Sequence, residues 1–153
     1  YLDRKKIASA KLDTAAVENA LADLLRAQTG IAMVFTRSDL LAGRIGHTPF
    51  LDSVQRAFHP TRSGDVVVIQ KQFWYFDEDP SYYAAMHGSP YSYDTYVPIA
   101  ILAPGMKAAT VLEPTAPAQI APSLAAMFGI KPPSGCACDP PLPGIPTYST
   151  LKK

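Results

Sequence analysis

The sequence predicts an α/β fold with a mixed or mainly parallel sheet flanked by helices, because helical and strand-like segments alternate along the chain. An amphipathic helix is followed directly by a continuous apolar strand, which is the order of half an α/β unit. The composition supports a packed domain. Of the 153 residues, 48% are hydrophobic and 18% are charged, which excludes a disordered chain.

The clearest helix is predicted over residues 14–28. Asp13 or Thr14 would cap its first turn, and Gly30 would suit a left-handed cap at its end. The apolar stripe of this helix consists of Val17, Leu21, Leu24 and Leu25. Residues 31–35 then form an apolar run that is typical of a buried strand.

Four other segments are predicted as strands, and two as helices. The strands are residues 5–10, 66–69, 97–102 and 109–112. One helix would start at Thr48 and Pro49, a capping residue followed by proline in the first turn. The other would cover residues 118–128 and end at Gly129. Proline is absent from residues 1–48 and concentrated after residue 131, so we expect a packed body (1–130) and a proline-rich tail (131–153).

Charge and the length of the apolar runs argue against two kinds of partner, nucleic acid polymers and membranes. Lys and Arg total 14 and Asp and Glu total 13, a net charge of +1, which argues against a surface that binds a nucleic acid polymer. No apolar run approaches the roughly 20 residues that span a bilayer, so we expect no membrane span.

A long segment between the predicted strands at 66–69 and 97–102 is too aromatic to be disordered and is therefore a candidate functional loop. Its aromatic run, residues 73–76, could stack on a base or a sugar. Packing of these rings onto the sheet is the alternative we favour. The acidic run that follows, residues 77–79, could bind a cation, although a solvated loop is the simpler interpretation.

Three histidines and two cysteines are the remaining candidates. His87 precedes a predicted strand, where a ligand or catalytic group would be held rigidly, although an isolated loop histidine more often caps a turn. His47 and His59 flank a helix and are expected to be exposed. Cys136 and Cys138 are too close in sequence for an easy disulfide and lack partner ligands for zinc, so they leave compartment and oxidation state open.

Residues 87–99, HGSPYSYDTYVPI, resemble a segment of the alkaline phosphatase superfamily. The likeness is greatest to zinc alkaline phosphatases that are related to the type I phosphodiesterases and nucleotide pyrophosphatases. Two further blocks, residues 62–66 and 120–130, resemble this group in the same order, and residues 133–136 and 141–142 resemble its closing turn. The resemblance implies an alkaline-phosphatase-like sheet.

The resemblance also implies chemistry. Two zinc ions would bind a phosphate ester, and a Thr or Ser nucleophile would attack phosphorus. His87 matches a zinc ligand of the family. No Asp of this chain is followed by His directly or four residues later, although the family requires both patterns. We therefore expect an incomplete, C-terminal portion of the enzyme, which supplies one ligand and neither binds zinc tightly nor turns over substrate alone.

The resulting hypothesis is a portion of a zinc-dependent phosphate-ester hydrolase, with a phosphomonoesterase favoured. The alternatives are a phosphodiesterase or nucleotide pyrophosphatase of the same superfamily, and a noncatalytic α/β interaction module. By resemblance the intact enzyme would be periplasmic or secreted. An incomplete sheet leaves an unpaired edge, so we also expect self-association.

Overall fold

A computed structural model describes residues 1–77, 79, 81–83, 85–104, 106–136 and 139–151, without the side chains of residues 136 and 151. The chain forms two compact units. The first is Tyr1–Val97, and the second comprises the described residues from Pro98 onward. The boundary near residue 130 that composition favours stays a prediction. No helix in the described part of the chain is both long enough and apolar enough to cross a bilayer.

The first unit contains five helices and two strands among its described residues. In chain order they are α1 (Arg4–Ser9), α2 (Thr14–Arg26), β1 (Ile31–Thr36), α3 (Arg37–Ala42), α4 (Leu51–Ala57), β2 (Val66–Gln70) and α5 (Ser92–Thr95).

Side-chain caps explain where the first helices begin. The Asp3 carboxylate accepts hydrogen bonds from the backbone N–H groups of Lys5 and Lys6, and α1 follows. The strand predicted over residues 5–10 is therefore wrong, because this cap stabilises a helix there. Asp13 caps α2 through the N–H of Ala16, as predicted. Gly30 does not cap α2, which ends at Ala27 in the right-handed conformation.

The helix predicted to start at Thr48 and Pro49 is present but begins later. Phe50 precedes α4 in the left-handed conformation, with φ at 65°, and no side chain caps this helix. Val54 lies on its buried face, and Leu51 packs against the same core cluster. The residues before α4 are thus used to turn the chain rather than to extend the helix.

β1 and β2 pair in the antiparallel direction. Thr36 lies opposite Val66 and Val34 lies opposite Val68, and the register shifts between Ile31 and Met33. The α/β class is confirmed in its coarse form, as a mixture of helices and a small sheet, but the described residues show no parallel strands.

The strands predicted at residues 97–102 and 109–112 are not formed. Leu102 is 97% exposed and Leu112 is 91% exposed. A central strand is stabilised by burial of its apolar side chains on both faces. These segments bury too little to be strands of that kind.

The small sheet is buried on both faces, which places the core of the first unit. One face packs against α3 and α4 through Phe35, Leu40, Val54 and Ile69. The other packs against α2 through Ala22, Ile31 and Val34. This three-layer arrangement explains why β1 is almost continuously apolar.

Asp65, which is only 2% exposed and directly precedes β2, binds the N-terminal segment. Its carboxylate accepts hydrogen bonds from the backbone N–H of Leu2 and from the guanidinium of Arg4. Burial raises the pKa of Asp65, but the bonds from Leu2 and Arg4 outweigh it and hold the pKa below its usual value.

The second unit is built around α6 (Ile120–Phe128), which confirms the last predicted helix. A 3-10 turn leads into it, and Gly129 ends it in the left-handed conformation. A Cβ on Gly129 would lie 2.8 Å from the ring of Tyr148, the first residue of α7 (Tyr148–Leu151), so only glycine fits. The Oγ of Ser123 accepts a hydrogen bond from the N–H of Leu142.

Candidate functional site

The site lies in the segment that follows β2, where the chain turns at residues 87–94. Gly88 has a φ of 101°, a backbone conformation that glycine adopts far more readily than other residues. His87 before it is exposed, whereas Ser89 after it is buried. The turn therefore presents the imidazole of His87 to the surface while the chain beneath it is fixed.

Asp94 fixes this turn from the first turn of α5. Its Oδ2 accepts a hydrogen bond of 2.8 Å from the N–H of Ser89 and a second from the Ser89 hydroxyl. The Ser89 hydroxyl and then its N–H lower the pKa of Asp94, and the positive charge that His87 carries when protonated adds to this effect. Asp94 is thus an ionised anchor beside His87.

Tyr91 joins the turn to the sheet. Its hydroxyl donates a hydrogen bond of 2.9 Å to the carbonyl of Gln70, the last residue of β2. Its ring meets that of Phe50 edge-on, with centroids 5.0 Å apart. The His87 turn is consequently attached to the rigid core of the first unit.

Three rings continue from this attachment as an aromatic stack, formed by Tyr91, Tyr93 and Phe73. The centroids of Tyr91 and Tyr93 are 5.7 Å apart at 11°, and those of Tyr93 and Phe73 are 5.0 Å apart at 19°. The Tyr93 hydroxyl also accepts a hydrogen bond of 3.0 Å from the N–H of Phe73. The stack connects the turn to the aromatic run that the sequence singled out.

The aromatic run lies differently from the packing that we favoured. Trp74 does pack against Gly30, the residue before β1, since a Cβ on Gly30 would lie 2.5 Å from its ring. Phe73 is 77% exposed and Phe76 is also exposed. A cavity of about 350 Å³ lies here, lined by Phe73, Trp74, Tyr75 and Asp77. The run therefore forms the wall of an open cavity rather than a cover for the sheet.

The other candidate residues are not brought to this site. His47 and His59 are exposed, as predicted, and the Nδ1 of His59 accepts a hydrogen bond from the N–H of Thr61. Asp79 binds Ser81 in a local turn, where the Ser81 hydroxyl lowers its pKa. Part of the acidic run lies outside the described residues. The same holds for Cys138 and for the Cys136 side chain.

His87 fits one ligand position of a metal site, because an exposed imidazole nitrogen is a natural zinc donor. The part of the chain that the structure describes contains no group of three or more His, Cys, Asp or Glu side chains that could hold a metal ion. The carboxylate of Asp94 is already bound to Ser89. These residues alone therefore do not make up a complete zinc site.

A second cavity, of about 530 Å³, runs along β1 and was not foreseen from the sequence. Its charged groups are paired: Arg44 binds Asp39 and Arg26 binds both Asp23 and the carbonyl of Val34. The Thr36 hydroxyl is the main cause of the lowered pKa of Asp39; burial opposes it and Arg44 adds to it. The Arg44–Asp39 pair holds the loop after α3, the Arg26–Asp23 pair lies within α2, and together they leave no free cationic cluster among the described lining residues.

Comparison with known proteins gives two distant relatives. Alkaline phosphatase PhoD of Zymomonas mobilis is 33% identical over 110 residues, which cover 65% of this chain and 18% of the relative. Alkaline phosphatase PafA of Elizabethkingia meningoseptica is 26% identical over 140 residues, which cover 92% of this chain and 25% of the relative. The chain is thus similar to parts of two proteins that are named alkaline phosphatases.

The similarity is distant and does not identify a particular type of alkaline phosphatase. No family model matches the chain, and no solved structure matches it significantly. The chain spans about a fifth to a quarter of the length of the relatives it matches. A continuous stretch that covers 65% or more of a 153-residue chain includes positions 87 and 94 wherever it starts. Both alignments therefore span the turn that carries His87 and Asp94.

Proposed function

We propose that this chain is part of a zinc-dependent phosphate-ester hydrolase in which His87 is one metal ligand. The observation that carries the proposal is the position of His87. It is exposed on a turn fixed by Asp94 and Tyr91, within the stretch that aligns with two proteins named alkaline phosphatases. A buried histidine, or one on a free loop, would not support the same role.

The residues of this chain contribute position and charge. The neutral imidazole of His87 would bind zinc through one ring nitrogen. Asp94 and Ser89 fix the backbone two residues after His87, so that the chain from which the imidazole projects is held in place before metal binds. Bound zinc would supply Lewis-acid stabilisation of the oxygens of a phosphate ester.

The remaining machinery would come from elsewhere in the intact protein. A catalytic zinc requires about three protein ligands, and His87 provides one. We therefore propose that the nucleophile and the other ligands lie outside this chain, and that the chain alone is inactive. The Tyr-Asp-Thr-x-Val-Pro pattern at residues 93–98 favours a phosphomonoesterase over a phosphodiesterase. The resemblance favours a periplasmic or secreted enzyme.

The test is His87→Ala in the intact protein that contains this chain. Hydrolysis of p-nitrophenyl phosphate and of bis-p-nitrophenyl phosphate would be measured with zinc present. We expect the favoured activity to fall by at least about a hundredfold, since loss of a ligand weakens metal binding and charge stabilisation together. The monoester should be the better substrate.

His59→Ala is the matched control, because His59 is also exposed and lies on a turn away from the site. It should retain full activity. Unchanged activity of the His87 variant would remove this residue from the metal site and overturn the proposal.

A noncatalytic interaction module is the second candidate. It is favoured by the large apolar side chains that remain exposed in the second unit, Leu102 and Leu112 above all. Phosphate-ester hydrolysis by the intact protein distinguishes the two, because a module without catalysis would show none. Self-association through strand edges stays a prediction.

A further inference from the structure

The aromatic stack ends in an exposed ring. Tyr93 contacts Tyr91 on one side and Phe73 on the other, both in near-parallel orientation. Phe73 is the terminal ring of the stack, and it remains 77% exposed. Exposure of most of a phenyl ring is unfavourable in water. The stack thus offers a ring face on which one more planar group could lie.

The backbone holds this face in place before any ligand arrives. Phe73 has a φ of 65°, which is rare for a bulky residue and persists only where the surroundings impose it. The Tyr93 hydroxyl accepts the N–H of Phe73, and the next residue, Trp74, donates its N–H to the carbonyl of Lys71. A preformed surface loses little conformational freedom when a ligand binds.

The adjoining cavity limits the chemistry of the ligand. Its volume of about 350 Å³ is sufficient for a small molecule. The residues that line it are Phe73, Trp74, Tyr75 and Asp77, three aromatic residues and one acidic residue. Planar rings favour offset stacking on such walls. The Asp77 carboxylate repels an anionic group. Its Oδ1 accepts the N–H of Asp79, and its other oxygen can accept a hydrogen bond from a neutral N–H donor.

We propose that the exposed face of Phe73 binds the planar aromatic ring of a small-molecule ligand, and that any N–H groups of that ring lie toward Asp77. A nucleobase and a simple aryl group share the stacking chemistry, and only the nucleobase supplies the N–H donors. The suggestion that this ring is the organic part of a phosphate ester rests on the proposed function. The binding of a planar ring to Phe73 does not depend on that function.

Trp74 makes a direct test possible, because it is the single tryptophan of the chain and lines the cavity. The purified chain would be titrated with adenosine, with anisole and with ribose 5-phosphate, and tryptophan fluorescence recorded with excitation beyond the absorption of adenine. Adenosine should change the signal saturably. Saturation by anisole alone would identify an aryl group as the source of the ring. An equal response to ribose 5-phosphate would overturn the proposal.

Variants separate stacking from a general effect on the loop. Phe73→Ala should weaken adenosine binding about tenfold or more. Phe73→Leu keeps an apolar side chain without a flat face and should show the same loss. Phe76→Ala is the control, since Phe76 is exposed too but stacks on no other ring among the described residues, and it should bind as the wild type does.

Two further results would overturn the inference: no saturable response to either adenosine or anisole in the wild-type chain, or unchanged affinity in both Phe73 variants. Neither depends on catalysis. If the His87 variant of the intact protein stays active while Phe73→Ala loses adenosine, the proposed function fails and the ring-binding surface stands. The reverse pattern would leave the hydrolase and remove this surface.

Discussion

The core around β1 and β2 and the segment from residue 71 to residue 97 are held together in different ways. In the core, apolar side chains from α2, α3 and α4 bury both faces of the sheet. In the segment, a few specific contacts replace that burial: Asp94 with Ser89, Tyr91 with Gln70 and the stacked rings.

This difference has a consequence for function. Burial stabilises a region whatever its detailed geometry, whereas a few directed contacts fix particular atoms at an accessible surface. His87 and Phe73 are both exposed and both held by such contacts. The segment can therefore present chemistry that the core only supports.

The largest expected effect on the free energy of unfolding comes from replacing a phenylalanine by alanine in the core, compared with the same replacement in the segment. Phe35→Ala removes a ring that is 5% exposed and packed in the core. It should lower the free energy of unfolding by about 3–5 kcal/mol. Phe73→Ala should lower it by about 1 kcal/mol or less, since only ring stacking is lost. Urea unfolding followed by circular dichroism measures both, and similar losses would contradict the contrast.

A smaller effect is expected from Asp65→Asn, which tests whether directed contacts also matter in the core. The Asp65 carboxylate accepts bonds from Leu2 and Arg4, and the substitution should cost about 1–3 kcal/mol at neutral pH. Folding lowers the pKa of Asp65. The contribution of the ionised Asp65 to the free energy of unfolding is therefore fully present above its pKa in the unfolded chain, about 3.9, and is lost as the pH falls through its lower pKa in the folded chain.

The difference in unfolding free energy between wild type and Asp65→Asn should therefore be largest near neutral pH and shrink below about pH 4. Urea unfolding over a range of pH values measures it. A difference that stays constant down to pH 2 would show that the charge of Asp65 is not what stabilises the N-terminal segment.

The smallest effect on stability is expected from Ser89→Ala. The variant removes the hydroxyl that chiefly lowers the pKa of Asp94, so this pKa should rise toward its ordinary value. Titration of the Asp94 carboxyl carbon by NMR measures the change. Ser92→Ala, at an exposed position in the same helix, is the control and should leave the pKa unchanged. An unchanged pKa in Ser89→Ala would show that the turn is held by other contacts.

Prediction from the sequence succeeded where a local pattern decides the structure. The cap of α2, the apolar run of β1 and the glycine at the end of α6 were all recognised. The apolar stripe predicted for α2 was wrong in part, because Leu24 is 66% exposed and the buried residues of this helix are Glu18 and Ala22. Prediction failed where apolar residues at 97–102 suggested a strand, because hydrophobicity alone does not supply a neighbour to pair with. It also missed the αL turn before α4 and the exposure of Phe73.

The sequence by itself determined the helices α2 and α6, the cap of α2 and the glycine that ends α6, and it singled out His87 through a run of residues that resembles one family. These are local properties, set by backbone capping, side-chain periodicity and residue order. Only the tertiary structure decided that β1 and β2 run antiparallel, that Asp94 holds the turn of His87 and that Phe73 ends a stack of rings. Each of those depends on contacts between residues that are separated along the chain, and no local pattern specifies which partners will meet.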